Sequence, residues 1–148
     1  MKGYLFDTDV ISLFAPGRKP VSDGVSRWVE DRTDRLFISA ISVGEIEAGL
    51  SKLRRDEAFA RANRIADWFE RLLTLHNQRI LPFDREVAHI YGATLDRALS
   101  KGHEPGFADA AIAATAIRFG LSVVTRNVRH FRLFEAPLLN PDDFDTVA

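Results

Sequence analysis

The chain contains no cysteine, so its chemistry cannot use a thiol nucleophile, a disulfide framework or a thiolate zinc site. It also lacks a glycine-rich phosphate-binding loop, which argues against an activity driven by nucleotide hydrolysis. No apolar run is long enough to cross a bilayer, and Asp7 interrupts the amino-terminal segment before a signal-peptide core could form. We therefore expect a soluble, cytoplasmic protein that does not contact a membrane.

A strong net charge is absent as well. The 148 residues carry a formal net charge of −1, so no overall positive field attracts nucleic acid and any polyanion must be held by local basic patches. Such runs of charge are more often solvated surface than binding sites. The basic patches are Arg126, Arg129, His130 and Arg132, and Lys52, Arg54 and Arg55.

The composition and pattern that are present predict one α/β domain over residues 1–148. Hydrophobic residues make up 46% of the chain, enough for one core, and short apolar runs alternate with longer stretches of helical periodicity. The predicted strands are Tyr4–Phe6, Leu36–Ile38, Ile80–Phe83, Val123–Val124 and an edge strand at Leu138–Leu139. The predicted helices are Glu57–Leu75, one capped by Asp84 and ended by Gly102, and Phe107–Phe119, ended by Gly120.

Three acidic residues are predicted to lie at one edge of this sheet. Asp7 directly follows the first strand, Glu45 follows the second strand after a short turn, and Asp109 opens the helix of small residues. Ligands of open α/β sheets bind at the carboxyl ends of the strands, so these positions favour a functional site.

Each acidic residue also has a simpler structural explanation. Asp7 or Asp9 can cap the helix that follows the first strand. Ser42 and Glu45 have the spacing of a capping box, and Asp109 can stabilise the dipole of its own helix.

Polar side chains follow a further strand. Thr125 and Asn127 come directly after Val123–Val124, where an ordinary turn would also place them. The functional interpretation rests on recurrence: acidic or amide side chains occur at equivalent positions after several strands.

Carboxylates gathered in one pocket repel each other, and a divalent cation removes that conflict. Oxygen ligands suit Mg²⁺ or Mn²⁺, whose remaining waters can attack a phosphoryl group. A nearby carboxylate such as Glu45 can orient that water or remove its proton. The pattern therefore predicts metal-dependent hydrolysis of a phosphodiester.

At this point the chain resembles a known family. Five segments are similar, in the same order, to successive motifs of PIN-domain ribonucleases, and more narrowly to VapC or FitB-type toxins of the plasmid-stability kind. These segments are Asp7–Ser12, Ile38–Gly49, Ile80–Asp84, Ala108–Ala116 and Val124–Asn127.

The resemblance implies a three-layer α/β/α fold with a central, mainly parallel sheet. It also implies a Mg²⁺- or Mn²⁺-dependent endoribonuclease that acts on RNA, forms a homodimer and is inhibited by a cognate VapB-type antitoxin. The family's three acidic metal-site residues match Asp7, Glu45 and Asp109. Asn127 stands where many members have a fourth acid, which would weaken a second metal, and Asp9 stands where asparagine is usual.

The remaining site predictions concern RNA and the antitoxin. The candidate substrate-binding residues are Thr125, Arg126 and Arg129. The resemblance further implies that the antitoxin covers an apolar groove and presents a basic side chain to the acidic pocket. The candidate groove residues, for which packing in the core is the alternative, are Trp28, Val29, Trp68 and Phe69.

Two rival functions stay open at this stage. Asp7 after an apolar strand also fits a phosphohydrolase of the haloacid-dehalogenase type, with Asp7 as nucleophile, although Asp142 and Asp143 are poorly placed to supply its later acidic pair. The other rival is a PIN fold that serves only as an interaction module, against which the retained acids argue. The four histidines lie in no recognisable nucleophile motif.

Overall fold

The computed structural model describes residues 2–145, and within them the chain forms five strands and seven α-helices. The strands are β1 (Tyr4–Phe6), β2 (Leu36–Ser39), β3 (Ile80–Leu81), β4 (Ser122–Val124) and β5 (Leu138–Leu139). The helices are α1 (Thr8–Ser12), α2 (Asp23–Glu30), α3 (Ala40–Arg55), α4 (Phe59–Leu75), α5 (Arg85–Ser100), α6 (Phe107–Phe119) and α7 (Val128–Phe131). Short 3-10 turns occupy Thr33–Arg35, Asn77–Arg79 and Pro141–Asp143.

The five strands form one parallel sheet in the order β3-β2-β1-β4-β5. Strand β1 is central, with Leu5 paired to Phe37 of β2 on one side and to Val123 of β4 on the other. All five strands therefore end at the same edge, which gathers the segments that follow them.

Helices cover both faces of the sheet, as the three-layer prediction requires. Successive strand residues point to opposite faces, so Leu5 belongs to one buried cluster and Phe6 to the other. Helices α5, α6 and α7 close the first cluster, with Ile112 and Phe131 fully buried. Helices α1, α3 and α4 close the second, where Phe69 is almost completely buried.

Two strand predictions differ in outcome. Strand β3 ends at Leu81, whereas the sequence predicted that it would extend to Phe83. Pro82 has no N–H to donate to a neighbouring strand, which explains the early end. The short edge strand Leu138–Leu139 is present and pairs with β4, as predicted.

The predicted caps of the later helices are also present. The Asp84 carboxylate accepts a hydrogen bond from the backbone N–H of Val87 at 3.1 Å and starts α5. Gly102, with φ 82°, follows the end of α5, and Gly120, with φ 66°, ends α6 in the left-handed conformation. Between these caps α6 buries seven consecutive residues, from Ala110 to Ala116.

Within residues 2–145, no helix combines the length and apolar character that a membrane span requires.

Candidate active site

The predicted acidic residues meet at the carboxyl edge of the sheet. Asp7 follows β1, Glu45 lies in α3 just after β2, and Asp109 is the third residue of α6. Their charges act on one another: the carboxylates of Asp9 and Asp109 raise the pKa of Asp7, and that of Glu45 raises the pKa of Asp109. The structure thus places at one edge of the sheet side chains that are up to 102 positions apart in sequence.

Asp7 is the most deeply buried of these acids, with 4% of its surface exposed. Its pKa is raised from 3.8 to about 6, chiefly by burial and further by the carboxylates of Asp9 and Asp109. Asp7 stands at the N-cap position of α1, yet its side chain makes no capping hydrogen bond. Helix capping therefore does not explain this carboxylate.

Thr125 holds the Asp7 carboxylate in place. Its hydroxyl donates to Oδ2 of Asp7 at 2.9 Å and accepts from the backbone N–H of Asn127 at 2.9 Å. Because this side chain is fully buried, its hydroxyl is already engaged on both sides. Its predicted contact with substrate stays a prediction, and the geometry gives it a positioning role that the sequence analysis did not foresee.

Glu45 is oriented by a second hydroxyl chain. Thr8 Oγ1 donates to Oε1 of Glu45 at 2.6 Å and lies 2.8 Å from Oγ of Ser42, so the Ser42 hydroxyl donates to Thr8. The alternative of a Ser42–Glu45 capping box is wrong, because α3 starts at Ala40 and its N-cap is Ser39, whose Oγ accepts from Ile41 N–H at 3.1 Å. Glu45 is thereby free of capping and lies exposed at the site.

Asp109 lies in the first turn of α6, where the helix dipole favours a negative charge. Burial nevertheless raises its pKa above the usual value, and the nearby His130 imidazole opposes that rise. The two side chains are 3.8 Å apart, from Nδ1 to Oδ2. Sequence analysis placed His130 only in a basic patch, and this contact brings it to the edge of the acidic site.

Asp9 and Asn127 face each other across the entrance to the site. The Asn127 amide donates from Nδ2 to Oδ2 of Asp9 at 3.2 Å, so the amide steadies this carboxylate. Asp9 lies within α1 and is exposed, so it does not cap that helix. Its charge contributes to the raised pKa of both Asp7 and Asp109.

These donors fit a hard divalent cation in their chemistry. All of them are oxygen atoms, and burial, together with neighbouring carboxylates, raises the pKa of Asp7 and of Asp109, a cost that a bound cation would offset. Among residues 2–145, however, no three carboxylate or imidazole side chains already stand close enough to enclose an ion. Hydrogen bonds from Thr125, Thr8 and Asn127 hold the carboxylates of Asp7, Glu45 and Asp9 instead.

The predicted groove residues separate into two pairs. Val29 and Trp68 line an apolar cleft of about 360 Å³ between α2 and α4. Trp28 stacks on Phe144 with ring centroids 4.4 Å apart, and Phe69 is buried, so this pair packs in the core.

Comparison with known proteins identifies what this arrangement is similar to. A model of the PIN domain family matches residues 4–135. Toxin FitB of Neisseria gonorrhoeae is 34% identical over 139 residues, which cover 93% of this chain and 96% of FitB. A VapC ribonuclease of Sinorhizobium fredii is 30% identical over 141 residues, with the same coverage. The crystal structure of FitAcB from Neisseria gonorrhoeae matches with a TM-score of 0.80 at 34% identity, covering 93% of this chain and 97% of that one.

Proposed function

The chain belongs to the PIN-domain family, and from that membership and its acidic site we propose that it is the toxin of a type II toxin–antitoxin pair. In this proposal it is a single-domain cytoplasmic endoribonuclease that uses Mg²⁺ or Mn²⁺ and hydrolyses phosphodiester bonds of RNA. Support comes from relatives named as a toxin and as a ribonuclease. The family assignment removes the haloacid-dehalogenase alternative.

One observation carries the proposal: a buried carboxylate, Asp7, whose pKa is raised to about 6, lies among other carboxylates at the edge where the strands end. A fold without catalytic function gains nothing from such repulsion, which lowers its stability. Asp7, Glu45 and Asp109 are the residues that would hold the cation. When bound, the cation would supply positive charge to a phosphate oxygen and make a water molecule more acidic.

The chain's own side chains would then position and deprotonate that water. Thr125 fixes one oxygen of Asp7, and Thr8 fixes one oxygen of Glu45. The exposed Glu45 carboxylate can accept the water proton as the water oxygen attacks phosphorus and the P–O bond of the leaving nucleotide breaks. Asn127 adds no charge at the end of β4, and the Asp9 carboxylate is already bonded to its amide, so we propose one tightly held cation rather than two.

Cleavage assays test this proposal directly. Purified protein should cut single-stranded RNA with Mg²⁺ or Mn²⁺, and EDTA should abolish cleavage. Asp7→Asn and Asp109→Asn should each reduce the rate at least about a hundredfold, since each removes charge from the cation site. Asp67→Asn, which changes an exposed carboxylate on α4, is the matched control. If both site variants stay folded and cut as fast as this control, the site assignment is refuted, and the role of a binding module gains support.

We also propose that the cognate antitoxin occupies the cleft between α2 and α4. Trp68 lines both this apolar cleft and a neighbouring cleft that contains Thr8 and Glu45, so the two clefts adjoin at this side chain and the second one reaches the acidic site. An apolar segment of the antitoxin would fill the first cleft and place a basic side chain near Glu45. The solved FitAcB structure supports this kind of partner.

A short reading frame next to this gene would encode the antitoxin, and its product should bind the purified toxin. Trp68→Ala should weaken that binding at least about tenfold in calorimetry, because it removes a large apolar contact. Phe119→Ala, at the far end of α6, should not change it. Equal weakening by both variants would place the antitoxin elsewhere. We propose a homodimer for the free toxin, which light scattering after gel filtration will test.

A further inference from the structure

A polar cleft of about 450 Å³ adjoins the acidic site and has no part in the function described so far. Asp9 and Asn127 border both this cleft and that site, and the rest of the cleft is lined by Ser12, Leu13, Arg18, Arg126 and Asp142. Two guanidinium groups therefore lie beside the place where RNA would be cut.

The Arg126 guanidinium is held only loosely. Its Nε lies 3.3 Å from Oδ1 of Asp142, and the two side chains are 50% and 58% exposed. An ion pair as solvated as this contributes little to stability, so another anion can displace Asp142 at little cost. Only Nε of Arg126 faces Asp142, at 3.3 Å from Oδ1 and 3.4 Å from Oδ2, whereas a phosphate can accept two parallel N–H bonds from this guanidinium.

Arg18 is placed between two clefts. Besides the polar cleft, it lines the neighbouring cleft that contains Thr8 and Glu45, on the other side of the acidic site. It follows Gly17, whose φ of 86° turns the loop after α1 and places Arg18 here. Sequence analysis overlooked Arg18, since a single arginine in a loop carries no motif.

We propose that this cleft is a second phosphate subsite, in which Arg18 and Arg126 bind the phosphate next to the scissile one on the RNA strand. Asp142 occupies Arg126 in the free protein and is displaced by that phosphate. The inference rests on the proposed function, because it identifies the cleft's occupant as part of an RNA substrate. It adds two residues, Arg18 and Asp142, to the proposed RNA site.

Binding of RNA without cleavage tests the subsite. The Asp7→Asn background in EDTA keeps a short fluorescein-labelled single-stranded RNA of mixed sequence intact, and fluorescence anisotropy gives its Kd. Arg18→Ala and Arg126→Ala should each weaken binding about tenfold, as expected for one charge-assisted phosphate contact. The double variant, which leaves that phosphate without either guanidinium, should reduce the steepness of log K against log salt by about 0.7. The double variant should lose less than the product of the single losses, because both residues bind one group.

Two further variants separate charge from geometry. Arg18→Lys should keep the salt slope but bind more weakly than the parent, since lysine cannot form the paired bonds of a guanidinium. Asp142→Asn should tighten binding about threefold, because Arg126 no longer has a competing carboxylate. The matched control is Arg118→Ala, about 13 Å further along α6 than Asp109, and it should bind as the parent does.

The outcomes distinguish this inference from the proposed function. If the Arg18 and Arg126 variants bind RNA as tightly as the Arg118 variant, the subsite is refuted even where the parent protein cleaves RNA. If RNA binds through Arg18 and Arg126 but the parent cuts nothing with Mg²⁺ or Mn²⁺, the subsite stands and the nuclease proposal fails. If the protein neither binds nor cuts RNA, both fail.

Discussion

Replacement of Asp7 by asparagine should stabilise the metal-free protein while it abolishes activity. The pKa of Asp7 is about 6 in the fold and 3.8 in its absence, so the folded state binds more protons between these two values. Stability therefore falls as pH rises from about 4 to about 6 and stays at the lower level above. At about 1.4 kcal/mol for each pH unit of this difference, the ionised carboxylate costs the fold about 3 kcal/mol.

Asparagine removes this cost because it is neutral at every pH, and its Oδ1 can still accept the hydrogen bond from Thr125. Its new N–H₂ group needs hydrogen-bond partners of its own, and we expect this requirement to cancel about 1 kcal/mol of the stability gained by removing the charge. We expect a net gain of about 1 to 3 kcal/mol at about pH 8, or an increase in Tm of about 3 to 10 °C. Near pH 4 the parent carboxyl is mostly protonated, so the gain should be lost.

Urea denaturation in EDTA at several pH values measures this difference, with Asp67→Asn as an exposed control that should change stability by less than about 0.5 kcal/mol. Added Mg²⁺ should reduce the difference in free energy of unfolding between the two proteins, because it stabilises the parent more than the variant. The reasoning is refuted if Asp7→Asn is less stable than the parent at about pH 8 in EDTA. It is also refuted if the difference does not depend on pH.

Three further perturbations address other parts of the site and fold. Thr125→Val should lower the free energy of unfolding by about 1 to 3 kcal/mol and raise the pKa of Asp7 further, which carbon NMR can measure. Thr125→Ser should leave both quantities unchanged. An unchanged Asp7 pKa in Thr125→Val would contradict the hydrogen bond between these two side chains. Gly120→Ala should lower the free energy of unfolding, measured in urea, by about 1 kcal/mol, because Gly120 has a positive φ. Gly92→Ala, inside α5, should raise it slightly. Equal effects of the two variants would contradict the role of the positive φ. Asp9→Asn should raise the Mg²⁺ concentration that gives half-maximal RNA cleavage, because it removes a carboxylate from the site. Adding Asn127→Asp should reverse most of that rise. If the double variant needs as much Mg²⁺ as the single variant, the idea that Asp9 compensates for Asn127 is refuted.

The sequence predicted the sheet because its signals are local. Alternate residues of each short strand face opposite apolar layers, so most residues of each strand are apolar or aromatic. A run such as Tyr4–Phe6 can therefore be recognised as a strand from its own residues. The edge at which the acids meet was predictable for the same reason. Parallel strands all end on one side, so a polar residue directly after a strand has a known position.

Hydrogen bonds within the site were not predictable, because they join distant segments. Ser42 and Glu45 have the spacing of a capping box, and only the tertiary contact with Thr8, 37 positions from Glu45, shows that Glu45 is engaged elsewhere. Thr125 likewise reaches Asp7 across 118 positions. Thr125 belongs to no motif spacing that identifies Asp7 as its partner, although its position directly after a strand could have suggested a role at the sheet edge.

The two departures from the family pattern are connected in the structure. Asp9 replaces a usual asparagine and Asn127 replaces a frequent acid, and the two side chains bond to each other at 3.2 Å. Read separately, one change adds a charge and the other removes one. Compared with the family pattern, the acid and the amide have changed places between these two facing positions. The number of carboxylates is therefore the same, but one of them lies on α1 instead of at the end of β4. Asp9 thus keeps a carboxylate on the border between the acidic site and the polar cleft, where Asn127 contributes only an amide.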